Sequence, residues 1–218
     1  MSVRVKVCGF TRLEDVRAAW EAGVDAVGLN FYPRSPRCVS PAVAAQLART
    51  RPPLGAVIGV FVNESPERIR QLVAGCGLTA VQLHGDEPPE ACAGYGVPVI
   101  KALRVHGPED VARARRYVGA GDVGSLLLDG AAPGYGGGGV RFDWALVASL
   151  RDCGLPVLVA GGLTPHNVAD AVRATRPYGV DVASGVESAP GLKDASAVRA
   201  FVRAARSPSL ELATELHP

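Results

Sequence analysis

Short apolar runs alternate with longer amphipathic stretches along the whole chain. The apolar runs lie near 3–8, 25–31, 56–62, 79–83, 97–103, 124–129, 156–160 and 179–183, and each has the length of a strand. Their starts fall about 25 residues apart, as repeated strand–helix units require. The stretches between them predict helices over 12–22, 41–50, 65–75, 87–93, 108–117, 143–152, 165–175 and 193–205. Several helix starts carry their own signals. Thr11-Arg12-Leu13-Glu14 reads as a capping box, with hydroxyl and carboxylate satisfying orphan amides. Ser40-Pro41, Ser65-Pro66 and Thr164-Pro165 each place a hydroxyl at the N-cap and a proline at the first helical position.

Eight such units in little more than 200 residues predict an α/β fold, a single (β/α)8 TIM barrel over 1–206. The polar segment over 207–218 is expected to be a loose tail. A doubly wound open sheet could also hold eight strands. Charges within or at the ends of the predicted strands favour the barrel. Lys6, Lys101, Asp129 and Asp181 could be paired in a barrel interior or mouth, whereas a sheet covered on both faces hides them less readily.

The first strand is the most telling. Val3, Val5 and Val7 share one face, while Arg4, Lys6 and Cys8 share the other. The polar face must look at something other than an ordinary core. The strand also ends on a thiol followed by glycine, at the C-terminal lip where α/β enzymes place their chemistry.

Composition narrows the class. With 48% hydrophobic and 20% charged residues, a sizeable core is expected and global disorder is not. A net charge of +2 from mixed signs gives no nucleic-acid footprint. No uncharged apolar run reaches the roughly 18 residues of a membrane span, and no signal-peptide pattern precedes the first strand. Five cysteines, Cys8, Cys38, Cys76, Cys92 and Cys153, are scattered without a C-x-x-C pair. That suggests neither a disulfide framework nor a zinc site, and fits a reduced cytoplasmic setting.

Candidate chemistry gathers after the strands. Ala160-Gly161-Gly162-Leu163 follows the seventh, and Ala183-Ser184-Gly185-Val186-Glu187 follows the eighth. In barrels these two loops often hold a phosphate on bare backbone amides, though a glycine pair can also serve only a strained turn. The run Gly134-Tyr135-Gly136-Gly137-Gly138-Gly139 lies inside a strand–helix unit, which favours a substrate loop over a linker. Asp129 closes an apolar strand either as a turn cap or as a catalytic acid, and spacing leaves both open. Cys8 is either an inert thiol or a reactive one, and its place at a strand end favours function. Arg34 and Arg37, on a proline-stiffened loop, suit a carboxylate or phosphate clamp as well as a solvated surface. His84, ending the fourth strand, reads equally as a site residue or a structural one.

Taken in order, these motifs resemble the phosphoribosylanthranilate isomerase family of tryptophan biosynthesis from about residue 3 to 205. The resemblance rests on Lys6-Val7-Cys8-Gly9-Phe10-Thr11, Ser35-Pro36-Arg37 with Val39-Ser40-Pro41, Val81-Gln82-Leu83-His84-Gly85 and Leu128-Asp129. It continues through Tyr135-Gly136-Gly137 before Phe142-Asp143-Trp144, then Ala160-Gly161-Gly162-Leu163 and Ser184-Gly185-Val186-Glu187. Each motif is weak alone, but the ordered set is highly specific.

The resemblance implies an Amadori rearrangement of N-(5-phosphoribosyl)anthranilate to 1-(2-carboxyphenylamino)-1-deoxyribulose 5-phosphate. Asp129 would be the general acid and Cys8 the general base. Arg37 would hold the anthranilate carboxylate, with His84 and Asp181 also binding substrate. Gly137, Gly138, Gly139, Gly161, Gly162, Ser184 and Gly185 would hold the phosphate. No metal or cofactor is implied. The partner would be a small phosphosugar, without nucleic acid or membrane, and the chain would act as a monomer or homodimer. Two details depart from the family: Gly138 or Gly139 replaces a common hydroxyl residue, and so does Gly130.

A free cysteine titrates near about 8.5, so a thiolate base needs nearby positive charge. Lys6 shares its strand face and is expected to pair with a carboxylate such as Asp181, within about 6 Å. Rival readings are weaker. Histidine-pathway and bifunctional isomerases use aspartate where this chain has Cys8, and indole-glycerol-phosphate synthase needs a lysine–glutamate set not found in register. A non-catalytic phosphosugar-binding barrel has no need to keep both Cys8 and Asp129.

Overall fold

The computed structural model describes residues 2–130 and 144–207. Eight parallel strands close on themselves: β1 (Arg4–Cys8), β2 (Ala26–Asn30), β3 (Ala56–Phe61), β4 (Ala80–Leu83), β5 (Val99–Val105), β6 (Val123–Gly130), β7 (Val157–Ala160) and β8 (Gly179–Val182), with β8 pairing back onto β1. Closure leaves no open edge, so the barrel reading holds over the open sheet.

Helices α1 (Leu13–Glu21), α2 (Pro41–Ala48), α3 (Pro66–Cys76), α4 (Pro108–Arg115), α5 (Ala145–Ala148), α6 (Val168–Thr175) and α7 (Ala195–Arg206) follow the strands. Most of the apolar core lies between this outer layer and the outward faces of the strands, where Val5, Val7, Val27 and Leu29 are fully buried. A smaller cluster of Ile58, Ile100, Ala102, Leu127, Leu158 and Ala160 fills the barrel interior.

Ser40 and Ser65 cap α2 and α3, accepting from the amides of Val43 and Arg68 at 3.3 Å each. The other two predicted caps are not used. Thr11 donates its hydroxyl to the Gly191 carbonyl at 2.6 Å, so a tertiary contact takes the group that a capping box would need, and α1 starts at Leu13 without a side-chain cap. Thr164 opens a turn instead, and α6 begins at Val168 behind Asn167.

The helix predicted over 87–93 is a single 3₁₀ turn, Pro89–Ala91. Two adjacent prolines remove the amides that a longer helix would need there. Of the stretch predicted over 143–152, α5 occupies four residues. After β8 a short 3₁₀ turn (Ser184–Val186) leads into a small antiparallel hairpin, β9 (Glu187–Ala189) and β10 (Leu192–Lys193), which the sequence reading did not anticipate.

Lys101 also departs from expectation. It alternates with Ile100 and Ala102, which fill the interior, so it points outward into the helix layer. There its ammonium meets Glu87 at 2.6 Å and the Gly85 carbonyl at 2.8 Å, a buried tie under the loop after β4. The glycine run 134–139, including Gly137, Gly138 and Gly139, lies outside the described residues, as does the tail from 208.

Candidate active site

The inward positions at the C-terminal ends of the strands form one pocket. Cys8, Asn30, Gln82, Asp129, Ala160 and Asp181 line it from six different strands. Register explains the central pairs. Lys6 on β1 stands directly opposite Asp181 on β8, and their charged groups are 2.9 Å apart with both side chains buried. This is the partnership expected of Lys6, which lies beneath the pocket floor while Asp181 reaches the lining.

Cys8 stands opposite Gly28 on β2. A Cβ at position 28 would lie 2.7 Å from the Cys8 sulfur, so glycine is what leaves the thiol its space. A glycine inside an otherwise apolar strand signals such a close approach, and that signal was available in the sequence. Cys8 sits deep, with only part of its surface reaching the pocket. Burial pushes its thiol above the ordinary cysteine range. The Lys6 ammonium pulls the other way, and Lys193 adds to that pull, without overcoming the burial. The Asp181 carboxyl is likewise pushed up by burial, against the attraction of Lys6.

Asp129, the last residue but one of β6, lies beside Ala160 of β7. Its carboxylate lies 3.4 Å from His84 Nε2. The other ring nitrogen of His84 is 3.1 Å from the Gln82 side-chain amide. With that amide donating to Nδ1, the ring hydrogen lies on Nε2, near Asp129 but not hydrogen-bonded to it. Gln82 is thus part of the site, although nothing in its spacing marked it.

The loop after β2 brings Arg37 to the pocket wall. Gly9, with a φ of +84°, makes room for its stem, since a Cβ there would lie 2.4 Å from the Arg37 Cδ. The Arg37 guanidinium donates to Glu187 through Nε at 2.8 Å and Nη2 at 2.6 Å. Lys193, from β10, donates to the same carboxylate at 2.7 Å. Burial alone would raise the Glu187 carboxyl, but these two cations hold it below the ordinary range. Lys193 carried no sequence signal, because the hairpin that delivers it was not foreseen. Arg34 is not among the pocket residues.

Opposite Arg37, Gly161 and Gly162 take φ values of +91° and +62°, in the left-handed region. The Asn167 side chain fastens their loop, donating to the Gly162 carbonyl at 2.8 Å and accepting from the Thr164 amide at 2.8 Å. Gly185 packs so closely on this loop that a Cβ would lie 1.9 Å from the Leu163 carbonyl oxygen. Ser184 and Gly185 therefore share the pocket with Gly161 and Gly162. Among the described residues, no cluster of three or more His, Cys, Asp or Glu is placed to hold a metal ion, and no helix is long and apolar enough to cross a membrane.

Residues 5–204 match the family model described as N-(5'phosphoribosyl)anthranilate (PRA) isomerase. An N-(5'-phosphoribosyl)anthranilate isomerase of Myxococcus xanthus (strain DK1622) is 78% identical over 210 residues, covering 96% of this chain and 99% of the relative. Another from Geobacter sulfurreducens (strain ATCC 51573 / DSM 12127 / PCA) is 47% identical, covering 94% and 98%. The crystal structure of phosphoribosyl anthranilate isomerase from Thermotoga maritima superposes with a TM-score of 0.88 at 44% identity, covering 93% of this chain and 98% of that one. A crystal structure of the isomerase in complex with reduced 1-(o-carboxyphenylamino)-1-deoxyribulose 5-phosphate gives a TM-score of 0.84 at 42% identity, with 93% and 98% covered. A barrel with a thiol and a carboxylate facing one pocket, matched over nearly its whole length, belongs to the N-(5'-phosphoribosyl)anthranilate isomerase family.

Proposed function

We propose that this pocket carries out the family's reaction, the Amadori rearrangement of N-(5'-phosphoribosyl)anthranilate in tryptophan biosynthesis, with Cys8 as base and Asp129 as acid. Asp129 gives its proton to the furanose oxygen while the bond from that oxygen to C1 breaks, and the nitrogen lone pair forms a C1=N iminium. The Cys8 thiolate then takes the proton from C2. The released electron pair forms C1=C2 and neutralises the iminium, giving an enolamine. Transfer of the C2 hydroxyl proton to C1 completes the ketone. Each proton transfer by a positioned group contributes about 10²–10⁴ in rate.

What supports this division of labour is the convergence of Cys8, Asp129, Arg37 and two glycine loops on one pocket. Arg37 takes the anthranilate carboxylate. Gly161, Gly162, Ser184 and Gly185 cradle the phosphate. His84 and Asp181 line the sugar between them. Cys8 must lose its proton before it acts, and the ammoniums of Lys6 and Lys193 favour the charged form. The enzyme works in the cytoplasm, in keeping with its free thiols, as a monomer or homodimer.

Growth rescue of a tryptophan auxotroph lacking this step tests the reading. The native chain should rescue, and the Cys8→Ala/Asp129→Asn double variant should not. Rescue by the double variant contradicts the mechanism, and rescue of a histidine auxotroph favours a bifunctional isomerase instead.

A further inference from the structure

Glu187 is surrounded by donors. It accepts from Arg37 Nε and Nη2, from the Lys193 ammonium, and from the Gly191 amide at 3.2 Å. The Lys193 ammonium also donates to the Ala183 carbonyl at 3.1 Å and lies over the Phe10 ring. Its backbone amide donates to Asp15 at 3.0 Å, tying the hairpin to α1. Lys193 and Glu187 are almost wholly buried, and Arg37 is only 14% exposed. Neither Glu187 nor Lys193 lines the pocket, whereas Arg37 does.

Two consequences follow from this geometry. Arginine is a long side chain with many rotamers, and a bidentate grip on one edge removes that freedom. Here the grip uses the one N–H of Nε and one of Nη2. Nη1 has no protein partner among the described residues and is left as the donor for a ligand. The charge count is also uneven. Arg37 and Lys193 are two cations held by one carboxylate, so the cluster carries an excess positive charge at the pocket wall. A ligand carboxylate supplies the missing negative charge.

We propose that Glu187, itself fixed by Lys193, is the positioning residue that aims Arg37 at the pocket and so sets the preference for an aryl amine bearing a carboxylate. This rests on the reading that Arg37 receives that carboxylate. Glu187 does not touch the substrate and acts through Arg37.

The test uses two stable ligands: reduced 1-(o-carboxyphenylamino)-1-deoxyribulose 5-phosphate and its counterpart without the carboxyl group. Dissociation constants for both are measured by calorimetry on the full chain, the Arg37→Ala, Glu187→Gln and Glu187→Asp variants. The native protein should prefer the carboxylated ligand. Glu187→Gln should lower that preference about tenfold, the size of a lost charge-assisted contact. Glu187→Asp, which keeps the charge but withdraws it by one methylene from Arg37, should lower the preference too, though less than Glu187→Gln. An equal weakening of both ligands makes Glu187 merely structural and overturns the proposal, as does an unchanged preference. Arg37→Ala separates the two layers. If it leaves the preference intact, the role of Arg37 itself fails and the proposal falls with it. If it abolishes the preference while both Glu187 variants keep it, only the positioning role fails. Should Glu187→Gln not fold, the Glu187→Asp comparison decides alone: a reduced preference supports the proposal and an unchanged one overturns it.

Discussion

The ammonium of Lys6 and the carboxylate of Asp181 lie 2.9 Å apart between neighbouring strands, both buried, with Asp181 in the pocket lining and Lys6 beneath it. Burying two charges gains little net stability, but removing one strands the other in a medium that cannot solvate it. Lys6→Met should therefore cost about 3–5 kcal/mol. The double variant Lys6→Met/Asp181→Asn should recover a good part of that loss. Urea unfolding of these two variants and of Asp181→Asn checks the prediction, and additive losses would contradict it.

The environment of Cys8 makes a second prediction. Burial places its proton affinity above the ordinary cysteine range, outweighing Lys6. A raised value means less thiolate at neutral pH than in a free cysteine. Alkylation of Cys8 by iodoacetamide should accordingly be slow at neutral pH and still climbing at pH values above the roughly 8.5 of a free cysteine. Site-resolved mass spectrometry separates it from the exposed Cys38. A Cys8 that is fully reactive at pH 7 would contradict this account.

Gly28 tests the packing around the thiol. A Cβ there would stand 2.7 Å from the Cys8 sulfur and 3.1 Å from the Cys8 Cα. Gly28→Ala must push the thiol out of place or part the two strands. A catalytic group displaced by about 1 Å loses on the order of 10²-fold in rate. Activity should fall by about that factor while circular dichroism still reports a folded barrel. Full activity would mean that the position of Cys8 is not restricted by β2.

Much of this was legible in the sequence, and the gaps have physical causes. The strands could be read because each is a short apolar run, and Lys6 stood out because it shares a strand face with Cys8. The pairing of Lys6 with Asp181 follows once β1 and β8 are known to be neighbours. Lys101 was misplaced because a charge in a strand was assumed to face the interior. It is buried on the other side, where Glu87 meets it. Thr11 has the local pattern of a cap, yet a partner 180 residues away takes its hydroxyl. The Arg37–Glu187 contact spans 150 residues, and Lys193 arrives on a two-stranded hairpin too short to leave a periodic signal. Local patterns thus revealed the elements and the residues at strand ends, while contacts between distant loops needed the fold.

The assignment of Cys8 and Asp129 as base and acid is tested most directly by the turnover of purified Cys8→Ala and Asp129→Asn on N-(5'-phosphoribosyl)anthranilate. Thermal unfolding should confirm that each variant is folded. Each kcat should drop by about 10²–10⁴-fold, the contribution of a positioned proton-transfer group. A folded Cys8→Ala variant that turns over within about threefold of the native rate, far short of such a loss, would contradict the account.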